Sequence, residues 1–134
     1  MAQTLQSHLA SLGIEHHRTM PGSPQQNGRA ERWNHTLLER ALSMLHNAHL
    51  SAGFWELAIH TAVHTYNRTP SRILGWKTPH FLWTKGHVPD VSYFRTFGYL
   101  AYVLTPSDKR SKLEPKSRPL TFVGYEINSK GYRF

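Results

Sequence analysis

A single carboxylate stands where a turn-rich loop meets the start of a helix. The stretch from Pro21 to Gly28 reads PGSPQQNG, and Glu31 follows it one turn into an amphipathic segment. Carboxylate oxygens are the ligands that Mg²⁺ prefers, and a helix N-terminus favours nearby phosphates. Two Mg²⁺ ions that hold a reacting phosphate need about three carboxylates. Glu31 therefore has the position of a metal ligand in a phosphoryl-transfer site, provided that partner carboxylates exist.

The same carboxylate also has a purely structural interpretation. Acidic residues are common in the first turn of a helix because they stabilise its macrodipole. Glu15 is the only other acidic residue before Glu31, and the only aspartates of the chain are Asp90 and Asp108. On residue type and spacing alone, the structural interpretation of Glu31 is the favoured one.

Histidines and tryptophans offer two further kinds of site. His60 and His64 have the i, i+4 spacing that binds zinc on a helix, but a third ligand is lacking and structural histidines are favoured. The four tryptophans are candidates for base stacking. Two of them lie on apolar helical stripes and are expected in a core, which leaves the other two open; the stripe residues are Trp33 and Trp55, and the others are Trp76 and Trp83.

The composition bounds the class of protein. The 134 residues carry 16 Lys and Arg against 8 Asp and Glu, which gives a net charge of +8. This balance favours a polyanionic partner, most simply nucleic acid. The chain has no cysteine, so disulfides and cysteine-bound zinc are excluded. It has no apolar run of membrane-spanning length and no secretory signal, so we expect no membrane partner and an intracellular location, nuclear if the chain acts on DNA.

The elements that must position these residues are helical in the N-terminal part. Leucines at helical spacing predict a first helix that ends at Gly13, and Ile14 to Arg18 predicts a short strand. A long amphipathic helix begins near Asn27, and a second one begins near Ser51 or Gly53 and ends before Pro70. Residues 69–90 are rich in Pro and Gly and predict a linker, with a short helix over 79–85.

The C-terminal part has a residue composition typical of β-strands. Aromatic and β-branched residues dominate YFRTFGYLAYVL, PLTFVGYEI and GYRF, with turn residues between them. The segment from Thr105 to Arg118, here called the basic loop, carries five cations against two carboxylates; the cations are Lys109, Arg110, Lys112, Lys116 and Arg118. We predict an α+β chain with a small β barrel at its end, whose basic loop contacts phosphates.

Several motifs in order resemble one known family. PQQNGRAER, FWELAIHTAVHTYNRTPSR, KTPHFLWTKGHVPDVSYFRTFGYLAYV and RSKLEPKSRPLTFVGYEINSKGYRF are similar to successive segments of copia-type (pseudoviral) retrotransposon integrases. The resemblance covers essentially the whole chain. It implies the C-terminal portion of an RNase H-like integrase core over 1–68, a linker over 69–90, and an SH3-like β barrel over 91–134.

The resemblance also implies roles for individual residues. Glu31 matches the Glu that completes the Asp, Asp, Glu triad of these integrases. Asn27 and Gly28 match the mobile loop beside the DNA end that is cut, and His35 matches a helix position that contacts DNA. Arg29, on the same helix, is a further expected contact with nucleic acid.

The resemblance implies an enzyme whose triad this sequence does not complete. In the family both Asp residues of the triad precede the Glu by more residues than stand before Glu31 here. The full-length enzymes trim and join DNA ends with Mg²⁺ or Mn²⁺, and we expect these 134 residues alone to bind neither ion and to be inactive. The alternative is a non-catalytic module, derived from a transposable element, that binds DNA, RNA or protein. Apolar helical faces without a covering sheet predict self-association.

Overall fold

Helices occupy most of the N-terminal half of the chain. The computed structural model describes residues 2–16, 20, 27–126 and 129–134. The helices are α1 (Ala2–Ser11), α2 (Gly28–Asn47), α3 (Trp55–Tyr66) and the short α4 (Pro79–Trp83). A 3-10 turn at Ala52–Phe54 leads into α3, and a second one lies at Arg72–Leu74. The positions of all four helices confirm the prediction. No helix within the described ranges is long and apolar enough to cross a bilayer.

Four short strands follow in the C-terminal third. Strand β1 (Leu100–Leu104) pairs antiparallel with β2 (Ser117–Thr121), and β3 (Gly124–Tyr125) pairs antiparallel with β4 (Tyr132–Arg133). In the first pair Leu100 lies opposite Thr121 and Leu104 lies opposite Ser117. The α+β class is thus confirmed. The described strands form two separate two-stranded sheets, and closure into a barrel stays a prediction.

The chain divides into two compact units, of which the first comprises Met1–Asn34. It contains α1, which ends before Gly13 in the left-handed conformation (φ 68°). The strand predicted from Ile14 onward is wrong for residues 14–16, which have no regular structure, while residues 17–19 lie outside the described part. Trp33 is 40% exposed, so its expected place in a core is also wrong. No described side chain of this unit is buried.

The second unit, His35–Phe134, holds the hydrophobic core. The core side chains come from α2, from α3 and from the segments that flank the strands; the buried cluster is Ala41, Leu45, Ala58, Phe97 and Val123. Leu37 of α2 and Phe122 are buried as well. Trp55 is 58% exposed, contrary to the prediction. Apolar spacing marks the face of a helix, but only the part that another element covers is buried.

Two glycines set how closely helices and strands approach in this unit. Gly98 (φ 82°) lies against Ala48, just after α2, and a Cβ on Gly98 would overlap the Cβ of Ala48 and lie 2.9 Å from its Cα. Gly124 (φ 140°) lies against α3, where an added Cβ would be 2.7 Å from Thr61 Oγ1. A backbone without side chains is therefore required at both contacts.

Candidate nucleic-acid interface

The residues matched to the integrase loop and helix lie at the start of α2. Asn27 directly precedes the helix, and Gly28, Arg29 and Glu31 lie in its first turn. All four residues are exposed to solvent. The rest of the predicted loop, residues 21–26, lies outside the described residues. Glu31 lies in the first turn of α2, as predicted. This position is compatible both with a carboxylate that stabilises the helix dipole and with a metal ligand.

The donor set around Glu31 does not fit a complete divalent-metal site. Among the described residues, no three His, Cys, Asp or Glu side chains come close enough to hold a metal ion. A Mg²⁺ ion bound by protein needs its carboxylates in one place, usually together with substrate phosphates. The described residues by themselves therefore do not assemble such a site.

His35, further along α2, is paired with a carboxylate of its own helix. Its Nδ1 lies 3.5 Å from Glu39 Oε2, and both side chains are largely exposed. Such an i, i+4 pair contributes little to stability. The carboxylate beside His35 also opposes the approach of a phosphate, which makes His35 a weaker DNA contact than its position alone predicts.

The basic loop connects β1 to β2 and is held at both ends. Thr105 N donates to Lys116 O at 2.9 Å, which continues the strand pairing into the loop, and Arg118 lies within β2 opposite Val103. Four of the five predicted cations are exposed, namely Lys109, Lys112, Lys116 and Arg118. Arg110 is half-buried, and its Nε has no hydrogen-bond partner among the described residues. The hairpin thus presents four cationic side chains to solvent.

One of the two carboxylates in this loop is engaged by the backbone. Glu114 Oε2 accepts a hydrogen bond from Ser111 N at 2.7 Å, and Glu114 N donates to Ser111 O at 3.2 Å. These bonds close a turn within the loop. The carboxylate keeps its negative charge in these bonds, because a hydrogen bond from the main chain does not neutralise it. With Arg110 half-buried, the exposed charges of the loop are four cations and two carboxylates.

A cleft that the sequence did not predict lies between α3 and the last two strands. Its volume is about 750 Å³. Polar and aromatic side chains from α3, from the segment before β1 and from the β3–β4 hairpin line it; they include His60, Asn67, Arg68, Asp90, Tyr93 and Tyr132. The one sequence signal in this region was the i, i+4 spacing of His60 and His64, which both line the cleft. The tyrosines come from distant positions, so no local pattern could bring them together.

His64 packs inside this cleft as an aromatic residue. Its ring stacks on Tyr125 at a centroid distance of 4.2 Å, and its Nε2 lies 2.9 Å from Tyr93 Oη in a hydrogen bond. Burial, reinforced by the positive charges of Arg68 and His80, lowers the pKa of His64 to about 4. The ring is thus neutral at pH 7. The prediction of a structural histidine is confirmed, and His60 is instead exposed beside Glu56, 3.9 Å away.

Two family models match the chain. A model described as an integrase core domain matches residues 12–79, and one described as a retroviral polymerase SH3-like domain matches residues 99–134. The first match covers Glu31, α2 and α3, and the second covers the basic loop and all four strands. No solved structure matches the chain.

Three similar proteins come from plants. The Retrovirus-related Pol polyprotein from transposon TNT 1-94 of Nicotiana tabacum is 40% identical over 132 residues, which is 98% of this chain and 10% of that protein. The Retrovirus-related Pol polyprotein from transposon RE2 of Arabidopsis thaliana is 31% identical over 128 residues, 96% of this chain and 9% of that protein. An uncharacterised mitochondrial protein of Arabidopsis thaliana is 35% identical over 85 residues, 63% of this chain and 68% of that protein. The chain thus spans about a tenth of the length of the two Pol polyproteins.

Proposed function

Because the chain belongs to the integrase core family and is similar throughout to copia-type Pol polyproteins of plant transposons, we propose that it serves DNA integration by holding the DNA backbone. The basic loop is its main phosphate-binding surface. Asn27, Gly28, Arg29 and His35 add contacts near the DNA end that reacts. The partner is DNA, and the site of action is the nucleus.

This proposal rests mainly on the exposed cations of the β1–β2 hairpin, whose loop is joined at its base by a backbone hydrogen bond. Lys109, Lys112, Lys116 and Arg118 are exposed, and the loop that carries most of them is pinned by the Thr105–Lys116 hydrogen bond. Cations held on a rigid scaffold bind phosphates with a smaller loss of conformational entropy than cations on a free tail. Phosphate contacts of this kind are independent of base sequence.

The finer architecture belongs to the same proposal. We assign residues 1–68 to the C-terminal part of an RNase H-like core, residues 69–90 to a linker and residues 91–134 to an SH3-like β barrel. The helices and the two small sheets are compatible with these assignments. Self-association through the exposed helical faces of the first unit is a further part of the proposal.

A non-catalytic role for these 134 residues is the second candidate. Glu31 would be a ligand for Mg²⁺ or Mn²⁺ in a complete core, where such ions activate the attacking oxygen and stabilise the phosphate. Among the described residues, no three potential metal ligands meet at one point. This favours a chain that binds DNA without cutting or joining it by itself.

Lys112 and Lys116 supply the sharpest test of the basic loop. If three or four of its cations contact phosphates of duplex DNA, log K falls with log salt at a slope of about −3, a loss of about 60-fold between 50 and 200 mM salt. The Lys112→Ala/Lys116→Ala double variant is expected to reduce the slope by up to about 2 and to weaken all sequences alike. Fluorescence anisotropy titrations at several salt concentrations measure both quantities.

The matched control for this experiment lies on α2. Arg29→Ala/His35→Ala changes the other predicted contacts and leaves the hairpin intact, so its salt slope should stay nearer to that of the wild type. A wild-type slope in the double lysine variant, with an intact fold by circular dichroism, would assign the binding surface to α2 instead.

Catalysis by the purified chain is the second test. We expect no 3′-end trimming and no strand transfer with Mg²⁺ or Mn²⁺, because among the described residues no three potential metal ligands converge at Glu31 or elsewhere. The assay follows labelled DNA ends on a gel, with Glu31→Gln as the control. Joining activity in the wild type that disappears in Glu31→Gln would overturn the non-catalytic interpretation.

A further inference from the structure

A long stretch of the chain that begins within α3 and ends just before Asp90 has no negative charge of its own. Residues 57–89 contain neither Asp nor Glu, whereas they contain Arg68, Arg72, Lys77 and Lys85. The last three of these cations are exposed. A stretch of more than thirty residues with cations only is electrostatically complementary to a polyanion and not to a basic or neutral protein surface.

The same stretch carries Trp76 and Trp83, which lie outside the apolar stripes of α2 and α3. Trp76 is 72% exposed and Trp83 is 88% exposed, values far above those of a core residue. Tryptophan is enriched at interaction sites because its ring supplies a large apolar surface with a polar N–H. Exposed indole rings on a stretch whose Lys and Arg residues are not balanced by Asp or Glu combine the two features that bind unpaired nucleotides, because the rings stack on bases while the cations contact phosphates.

Trp76 is held in a backbone conformation that a bulky residue rarely adopts. Its φ is 62°, and the turn that contains it is closed by hydrogen bonds from Trp76 N to Ser71 O (2.9 Å) and from Ser71 N to Lys77 O (3.1 Å). Glycine adopts this region without strain, and a tryptophan does not. Strain of this kind persists only where the surrounding structure fixes it, and it is frequent at ligand-binding sites.

Trp83 lies at the end of α4, which the rest of the unit holds in place. Thr78 caps the helix by accepting from Phe81 N at 3.0 Å, and His80 N donates to Asn67 O, just after α3, at 2.9 Å. Lys77 Nζ lies 5.7 Å from the centre of the Phe81 ring, which fixes one of the cations beside the same helix. The chain between the two tryptophans allows a Cα separation of at most about 17 Å.

We propose that Trp76 and Trp83, together with Arg72, Lys77 and Lys85, form a stacking platform for single-stranded nucleic acid. This inference rests on the proposed function and extends it from the phosphate backbone to unpaired bases. Bases in an intact duplex present no free face, so the platform acts on single strands and frayed ends, whereas the basic loop binds any phosphate backbone.

The experiment compares a single-stranded oligothymidine of about 12 nucleotides with a duplex of the same length, by anisotropy and by quenching of tryptophan fluorescence. Trp76→Ala and Trp83→Ala are each expected to weaken single-strand binding about fivefold or more, with duplex affinity and salt slope unchanged. Trp55→Ala is the matched control, because Trp55 is also exposed but lies beside Glu56. It should leave both affinities unchanged. An oligouridine of equal length identifies whether RNA or DNA binds more tightly.

A second set of variants separates loss of stacking from loss of fold. Trp76→Gly removes the ring and relieves the positive φ, so it should be at least as stable as the wild type and bind single strands as weakly as Trp76→Ala. Trp76→Phe should retain most of the binding.

Three outcomes overturn the inference. Equal single-strand affinity in the wild type and in Trp76→Ala/Trp83→Ala would contradict the stacking platform, while the proposal for the basic loop would still stand. Loss of self-association in that double variant, with single-strand affinity intact, would make the surface a protein interface. Failure of the wild type to bind any nucleic acid would overturn both this inference and the proposed function.

Discussion

Replacement of Gly98 by alanine is expected to destabilise the second unit by about 2–5 kcal/mol. Two costs add at this position. An L-residue with φ near 82° costs about 1–2 kcal/mol, and forcing a methyl group into a close-packed contact costs about 1–3 kcal/mol more. The neighbour is the Cα and Cβ of Ala48, which cannot move without shifting the end of α2. Domains have only about 5–15 kcal/mol of stability in total, so this loss is large.

Urea denaturation of the full chain, followed by circular dichroism, measures this effect. Gly53→Ala is the control, because an added Cβ there meets only Ser51 Oγ at 3.6 Å, an ordinary contact distance. Its stability should stay within about 0.5 kcal/mol of the wild type. Equal stability of Gly98→Ala and Gly53→Ala would show that α2 and the strand segment do not approach as closely as described.

Acidification is expected to destabilise the same unit through His64. The pKa of this ring is lowered from 6.5 to about 4 by burial and by the nearby charges of Arg68 and His80. Between these two pH values the unfolded chain binds a proton at His64 that the folded chain does not, so stability falls as the pH is lowered from about 6.5 to 4. Solvent screening of the partly exposed ring leaves the contribution below about 3 kcal/mol, the value to which the full difference in pKa corresponds.

The free energy of unfolding at a series of pH values between 7 and 4 measures this dependence. In His64→Phe, which retains an aromatic ring against Tyr125 but cannot be protonated, this part of the pH dependence should disappear. His60→Gln should retain it, because His60 is exposed one turn before His64 on α3 and is not packed against Tyr125. A wild-type pH dependence in His64→Phe would assign the effect to another group.

Local patterns were sufficient for the helices, the composition of the strands and the candidate chemistry. Apolar spacing located α2 and α3, and Pro79 marked the start of α4, because helix periodicity and end signals act over a few residues. The cap that Thr78 provides was seen only in the structure. Charge counting located the basic loop. The resemblance placed Glu31 at the start of α2, and the family matches bear out the integrase origin of the chain.

Only the tertiary structure decided which of these side chains are buried, paired or presented. Trp33 and Trp55 lie on apolar stripes yet remain exposed, since a stripe is buried only where another element covers it. His64 became a neutral packing residue because Tyr93 and Tyr125, distant in sequence, meet it across the cleft. The Glu114 carboxylate accepts a hydrogen bond from the Ser111 backbone. Trp76 has a positive φ within a hydrogen-bonded turn. Burial and pairing depend on contacts between residues far apart in the chain, and a local pattern carries no record of them.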